Sequence, residues 1–257
     1  MSRRLEHARR LYMEGIRDGR PREAVSRYTG DRYTQHSTGV RDGVAGFVEF
    51  FEPFVAQHPD RDIRIVRALE DGQLVFVHAY QSLDGGQAQW VTMDFFDTDE
   101  DDKIIEHWDV IAPYASATPS GRTSVDGPTT VTDLDATGAN KELVRRMITD
   151  VLMPGGDPGR VDDYVSADYV QHSSDVTDGI EAIRASAIDP DRRLSYAEIV
   201  LLVGQGNFLA TLCRATRQGT PAAQADLFRV ADGLVVEHWD AAETIGPRSE
   251  WVNSGKF

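Results

Sequence analysis

The chain has 257 residues, 40% hydrophobic, 27% charged and 9% aromatic, a composition that supports a buried core and excludes a disordered chain. With 42 acidic residues against 27 basic ones, its formal charge of -15 argues against a nucleic-acid partner, because such a surface repels phosphate backbones. No apolar run reaches the roughly 20 residues of a membrane helix, the basic N-terminal stretch lacks the apolar segment of a secretory signal, and the lone Cys213 permits no intramolecular disulfide; a cytoplasmic protein is expected.

Leu5, Ala8, Leu11, Tyr12, Gly15 and Ile16 recur at helical spacing and predict a first helix. Pro21 sits where a second helix begins, with Ala24, Val25 and Tyr28 on one face. The polar segment YTQHS of residues 33–37 follows, and Asp42 is placed to cap a third helix carrying Phe47, Phe50, Phe51 and Phe54. From Asp62 the pattern changes to strands: DIRIVRALE, QLVFVHAYQSL, AQWVTMDFF and KIIEHWDVI, separated by turn residues. Residues 115–138 are rich in Ser, Thr, Gly, Pro and Asp, which predicts a linker.

The same order then recurs. YTQHSTGVRDG at 33–43 is matched by YVQHSSDVTDG at 169–179, with seven of eleven positions identical, and IIEHWDVI at 104–111 by VVEHWDAA at 235–242. The chain is therefore expected to be a tandem duplication, with domains at 1–114 and 139–246, a linker at 115–138 and a tail at 247–257. Each copy is predicted to be an α+β cone, three helices packed in a curved antiparallel sheet with an interior pocket. The two cones are expected to pack through their sheets as an intramolecular pseudo-dimer, and a further homodimer is left open.

Within strands, alternate residues share a face, so His107 and Asp109 point one way and Glu106 and Trp108 the other. Asp94 on the preceding strand adds a second carboxylate. On an apolar pocket wall such a carboxylate has its pKa raised by desolvation and can move protons near neutral pH. The alternative is that His107 and Asp109 only tie the sheet together. His36, following Tyr33 and Gln35, either orients a pocket carboxylate or satisfies backbone groups. His78 has Leu212 as its counterpart in the second copy, and Tyr80 has Arg214. Trp90, Phe51, Tyr33 and Tyr80 are the expected substrate-lining residues. The His and carboxylate spacing matches no zinc signature, and no metal is expected.

Helix–helix–helix followed by a meander ending in D-x-F, a turn and K-I-I-E-H-W-D resembles the SnoaL-like polyketide cyclases of the nuclear-transport-factor-2-like superfamily. The resemblance rests on Tyr33-x-Gln35-His36, Asp42-Gly43, Val77-His78, Asp94-x-Phe96 and Glu106-His107-Trp108-Asp109, and both copies fit. It implies a cofactor-independent enzyme that moves a proton on a small hydrophobic carbonyl or polyketide-like substrate, in aldol cyclisation or isomerisation. It also implies that the Asp late in the last strand is the general acid/base, which is Asp109 here and Asp240 by the repeat. The expected catalytic set is Asp109, His107, Asp94, His36 and His78, with second-copy equivalents His172, Asp226, His238 and Asp240. Chemistry is expected to be concentrated in the first copy. Two other functions stay open: an epoxide hydrolase or cyclase of the same fold, in which Arg214 and Asp226 share a pocket, and a non-catalytic small-molecule binding module.

Overall fold

The computed structural model describes residues 2–188 and 194–257. The chain divides into two compact units, one formed by Met1–Pro113 with Gly246–Phe257 and the other by Tyr114–Ile245.

In the first unit, α1 (Arg3–Arg10) starts at Ser2, whose hydroxyl accepts from the Leu5 amide, and continues as a wider π-helical stretch over Leu11–Arg17. Ala8, Leu11, Tyr12, Gly15 and Ile16 are buried, as their spacing predicts. Pro21 opens α2 (Pro21–Tyr28), where its fixed φ suits the first helical turn. The next segment, β1 (Thr29–Gln35), is a strand that the alternation of the sequence does not reveal, because Asp31 and Arg32 interrupt it. After α3 (Gly43–Gln57) the chain forms β2 (Arg61–Asp71), β3 (Leu74–Leu83), β4 (Ala88–Thr98) and β5 (Ile104–Pro113). The sheet order is β1-β5-β4-β3-β2, with β1 parallel to β5 and the remaining pairs antiparallel. Residues from α1, α2 and α3 pack with Val75, Val77, Ala79 and Phe96 as one apolar cluster on the inner face of the sheet.

The second unit repeats this plan. A helix, α4 (Thr137–Met147), again continues into a π-helical stretch, Ile148–Leu152. A short 3-10 helix, Pro158–Asp163, stands where the second helix was expected. The elements β6 (Val165–Gln171), α5 (Ile180–Ile188), β7 (Leu194–Gln205), β8 (Phe208–Arg217), β9 (Thr220–Ala231) and β10 (Leu234–Thr244) complete it. Its sheet order is β6-β10-β9-β8-β7, with β6 parallel to β10. Both units are α+β cones, each with four antiparallel strands and one parallel edge strand.

One local expectation changes. Asp42 occupies the N-cap position of α3, yet its carboxylate accepts from the Gln35 amide at 2.7 Å and not from the helix. Asp178 does the same for the Gln171 amide at 2.8 Å. Each therefore ties a helix start to the end of the parallel edge strand.

The segments expected outside the domains are built into them. Residues of the linker belong to the second unit: Thr132 exchanges backbone and side-chain hydrogen bonds with Asn207 at 2.9 and 3.0 Å, and Trp239 donates to the Asp126 carbonyl at 2.9 Å. The C-terminal tail belongs to the first unit, where the Val252 amide reaches the Thr38 carbonyl at 3.0 Å. The polarity that marks both segments as solvated in the sequence is used to satisfy buried backbone groups. No helix among the described residues is long and apolar enough to cross a membrane.

Candidate functional site

Strand pairing places the carboxylates. Asp94 on β4 lies directly opposite Asp109 on β5, and Phe96 opposite His107. With a period of two, Thr92, Asp94 and Phe96 face inward together with His107, Asp109 and Ile111. They line a cavity of about 150 Å³, walled also by Tyr12, Tyr33, Phe51 and Trp90.

Inside it, His107 lies between Asp94 (Nε2 to Oδ1, 3.0 Å) and Gln35 (Nδ1 to Oε1, 2.9 Å), and Phe96 stacks on its ring. Gln35 in turn donates to the Tyr33 hydroxyl at 2.9 Å. On the other side, Gln81 donates to Tyr12, which bonds Thr92, which donates to Asp94, each at 2.6 Å. Burial raises the Asp94 carboxyl, against the pull of His107. Asp109 behaves differently from the expectation of a raised pKa. Burial pushes its carboxyl up, but the Lys256 ammonium, His107 and a hydrogen bond from Ser37 outweigh burial and leave it below its ordinary value. Lys256 Nζ lies 2.9 Å from Asp109 Oδ1 with both side chains buried.

The second unit keeps this pattern in a larger space, about 440 Å³. His238 is held by Asp226 (Nε2 to Oδ1, 3.0 Å) and Gln171 (Nδ1 to Oε1, 3.0 Å). Gln171 Oε1 also accepts from the His172 and Ser173 amides, both at 3.0 Å, so its orientation is set by the backbone and His238 Nδ1 must carry a proton. Asp226 accepts further bonds from Tyr196 at 2.9 Å, Gln224 at 2.7 Å and Thr211 at 3.2 Å. Four donors converge on this one carboxyl and hold the dyad in place. Asp240 shares the His238 face of β10 and lines the cavity. Burial raises its carboxyl, His238 opposes this and Asp226 reinforces it. It accepts a hydrogen bond from Ser173 at 3.1 Å, and among the described residues no Lys or Arg pairs with it. Arg217 and Asp175, 2.6 Å apart, line the same cavity. The Gln224 carbonyl oxygen has no hydrogen-bond partner among the described residues.

Of the expected residues, the structure gathers Asp94, His107, Asp109, Trp90, Phe51 and Tyr33 at the first cavity, and His238 and Asp240 at the second, with Asp226 behind His238. Four others lie elsewhere. His36 stacks on Trp108 and bonds Glu106 at 2.8 Å on the outer face of β5, and its Nδ1 donates to the Gly255 carbonyl at 2.7 Å. His172 repeats this with Trp239, Glu237 and the Thr123 carbonyl. These two histidines clip the strand to a distant segment. His78 and Tyr80 alternate with the inward-facing Val77, Ala79 and Gln81, so they occupy the outer face: His78 lies beside Arg67 and the Tyr80 hydroxyl accepts from Gln89. Arg214 pairs with Glu198 at 2.8 Å and shares no pocket with the buried Asp226, because successive positions of β8 alternate between faces. The sequence reasoning missed Lys256, Ser173, Tyr169 and the two glutamines. Gln35 and Gln171 were visible as the constant Gln of the repeated Y-x-Q-H, whereas nothing local marks Lys256. No group of three His, Cys, Asp or Glu side chains able to hold a metal occurs among the described residues.

Residues 8–107 match the family model described as SnoaL-like domain. The first unit is a SnoaL-like domain, and the second repeats its strand order. No curated protein matches the chain. Similar solved structures include IdmH of Streptomyces antibioticus, a candidate polyketide cyclase, at 17% identity over 43% of this chain and 92% of that one, with a TM-score of 0.37. A candidate SnoaL-like polyketide cyclase from Jannaschia sp. CCS1 is 18% identical over 42% and 84% of the two chains, with a TM-score of 0.36. TsrD of Streptomyces laurentii is 23% identical over 40% and 89%, with a TM-score of 0.33.

Proposed function

We propose that the chain is a cofactor-independent acid/base enzyme that moves a proton next to the carbonyl of a small, largely apolar substrate, and that the reaction takes place in the second cavity. The observation that carries this is Asp240, a carboxyl raised by burial at the wall of a cavity of about 440 Å³ with no Lys or Arg paired to it among the described residues. A carboxylate in such surroundings is a stronger base than one in water, and its conjugate acid is able to return the proton.

The supporting residues have separate tasks. Asp240 takes the proton α to the carbonyl, and the electron pair moves into an enolate. Tyr169 lines the same cavity, and its phenol is held protonated by burial and by Asp226 and Asp240, so its O–H is available to the enolate oxygen. The Asp226–His238 pair is held fixed by its hydrogen bonds, with the imidazole at the cavity wall beside the intermediate. Return of the proton to a different carbon is isomerisation, and attack of the enolate on a second carbonyl is aldol cyclisation. This places the chemistry in the second unit, whereas the sequence pointed to the first. The epoxide-opening alternative loses its Arg–Asp pair.

The test is exchange of the α-hydrogens of 2-tetralone, a two-ring ketone, in deuterated buffer followed by NMR. Catalysed exchange that disappears in Asp240→Asn supports the proposal. Binding of the ketone with no exchange above buffer would support the non-catalytic binding module instead.

A further inference from the structure

The chain has three lysines, at 103, 141 and 256, among its 27 basic residues. The one on the C-terminal tail is buried, 2% exposed, against the carboxylate that corresponds to Asp240. Its position is built by backbone contacts. Asn253 donates to the Ser37 and Val40 carbonyls at 2.6 and 2.9 Å, the Gly255 amide donates to Asn253 at 2.9 Å, and the Gly255 carbonyl accepts from His36 at 2.7 Å. Lys256 follows directly and reaches Asp109.

The second unit has the same clip without the lysine. There the Thr123 carbonyl accepts from His172 at 2.9 Å, and the residue that follows is Ser124, whose hydroxyl accepts from the Ala115 amide at 3.0 Å. Asp240 is left with Ser173, the counterpart of Ser37. Asp109 also faces Ser37 from the loop after β1, Tyr33 from β1, Tyr12 from the first helix, Asp94 from β4 and His107 from its own strand. Asp240 faces the counterparts Ser173, Tyr169, Asp226 and His238, and in addition Asp175, which is paired with Arg217.

We infer that Lys256 divides the two cavities by function: delivered by the tail, it pairs off Asp109 so that the first cavity holds its ligand without proton transfer, and the chemistry belongs to Asp240. The inference rests on the proposed role of Asp240. An ammonium at hydrogen-bond distance in a buried site stabilises the carboxylate and makes it a poor base. Buried ion pairs of this kind contribute little net stability against an apolar replacement, which favours a chemical reason for keeping the lysine.

The experiment is an NMR titration of the full chain labelled with carboxyl-13C aspartate, with Asp109→Asn assigning the resonance. In the wild-type protein Asp109 should titrate below the ordinary carboxylate range. In Lys256→Met its midpoint should rise by about one to three pH units, and Lys256→Arg should keep it low. In an Asp240→Asn background, Lys256→Met should give a severalfold gain in 2-tetralone exchange that Asp109→Asn removes. An Asp109 midpoint at or above the ordinary range in the wild-type protein overturns the inference, whether or not the variants fold. So does an unchanged midpoint in folded Lys256→Met. Failure of the Asp240 proposal has a separate signature, wild-type exchange rates in Asp240→Asn, and leaves the titration of Asp109 untouched.

Discussion

Asp109 and Asp240 occupy the same register position in the two sheets, one opposite Asp94 and the other opposite Asp226, and their carboxyls are shifted in opposite directions. Lys256 stands 2.9 Å from the first and has no counterpart at the second among the described residues, where Asp175 instead adds to the elevation. Duplication thus preserved the scaffold of the site while a short tail changed the chemistry of one copy.

Asp240→Asn should separate activity from stability. A carboxyl raised in the folded state binds more protons folded than unfolded, so its stabilising contribution is present at low pH and is lost as pH rises through the raised value. Asn removes that loss, so the variant should be more stable than wild type at neutral pH, by about 1.4 kcal/mol for each unit of elevation. Thermal unfolding across pH should show this gain vanishing at low pH, while exchange activity is lost throughout.

Lys256 and Asp109 should be coupled. Lys256→Met alone leaves a buried carboxyl without its partner and should cost about 3–5 kcal/mol at neutral pH. Asp109's lowered pKa has the opposite sign from Asp240's: its contribution is present at neutral pH and is lost as pH falls through the depressed value. Lys256→Met combined with Asp109→Asn should cost much less than the two single changes together, measured by denaturant unfolding in a double-mutant cycle.

Gly255→Ala should loosen the tail. Gly255 has φ +117, and a Cβ there would collide with the Trp251 ring. Both features forbid a side chain, so the cost should exceed about 1 kcal/mol. Trp251 fluorescence should shift, and the Asp109 midpoint should move upward, as expected for Lys256→Met.

Gln171→Met should strand three donors: the His172 and Ser173 amides and His238 Nδ1. Stranding buried donors costs about 1–3 kcal/mol each. Gln171→Glu, which keeps acceptor oxygens, should recover most of the stability in thermal unfolding.

The duplication, the helix faces and the meander were legible because EHWD and Y-x-Q-H recur and apolar residues alternate over long strands. The parallel edge strands were not, since β1 pairs with a partner some 70 residues away and shows two exposed charged residues in its centre. His36 and His78 were placed in the site because they accompany its motif, but the period-two rule puts His78 on the outer face and the clip to Gly255 takes His36. Lys256 was invisible because it is 147 residues from Asp109, in a polar tail whose docking no local pattern encodes. Divergence of the two cavities therefore had to come from three-dimensional contacts.

The most direct test of the central claim compares 2-tetralone exchange in wild type, Asp240→Asn and Asp109→Asn across pH. The wild-type rate should rise with pH to a plateau, with its inflection above the ordinary carboxylate value. Asp240→Asn should lose about a hundredfold or more, and Asp109→Asn should keep a rate near wild type. Loss of exchange in Asp109→Asn with Asp240→Asn unaffected would contradict that claim and return the chemistry to the first cavity.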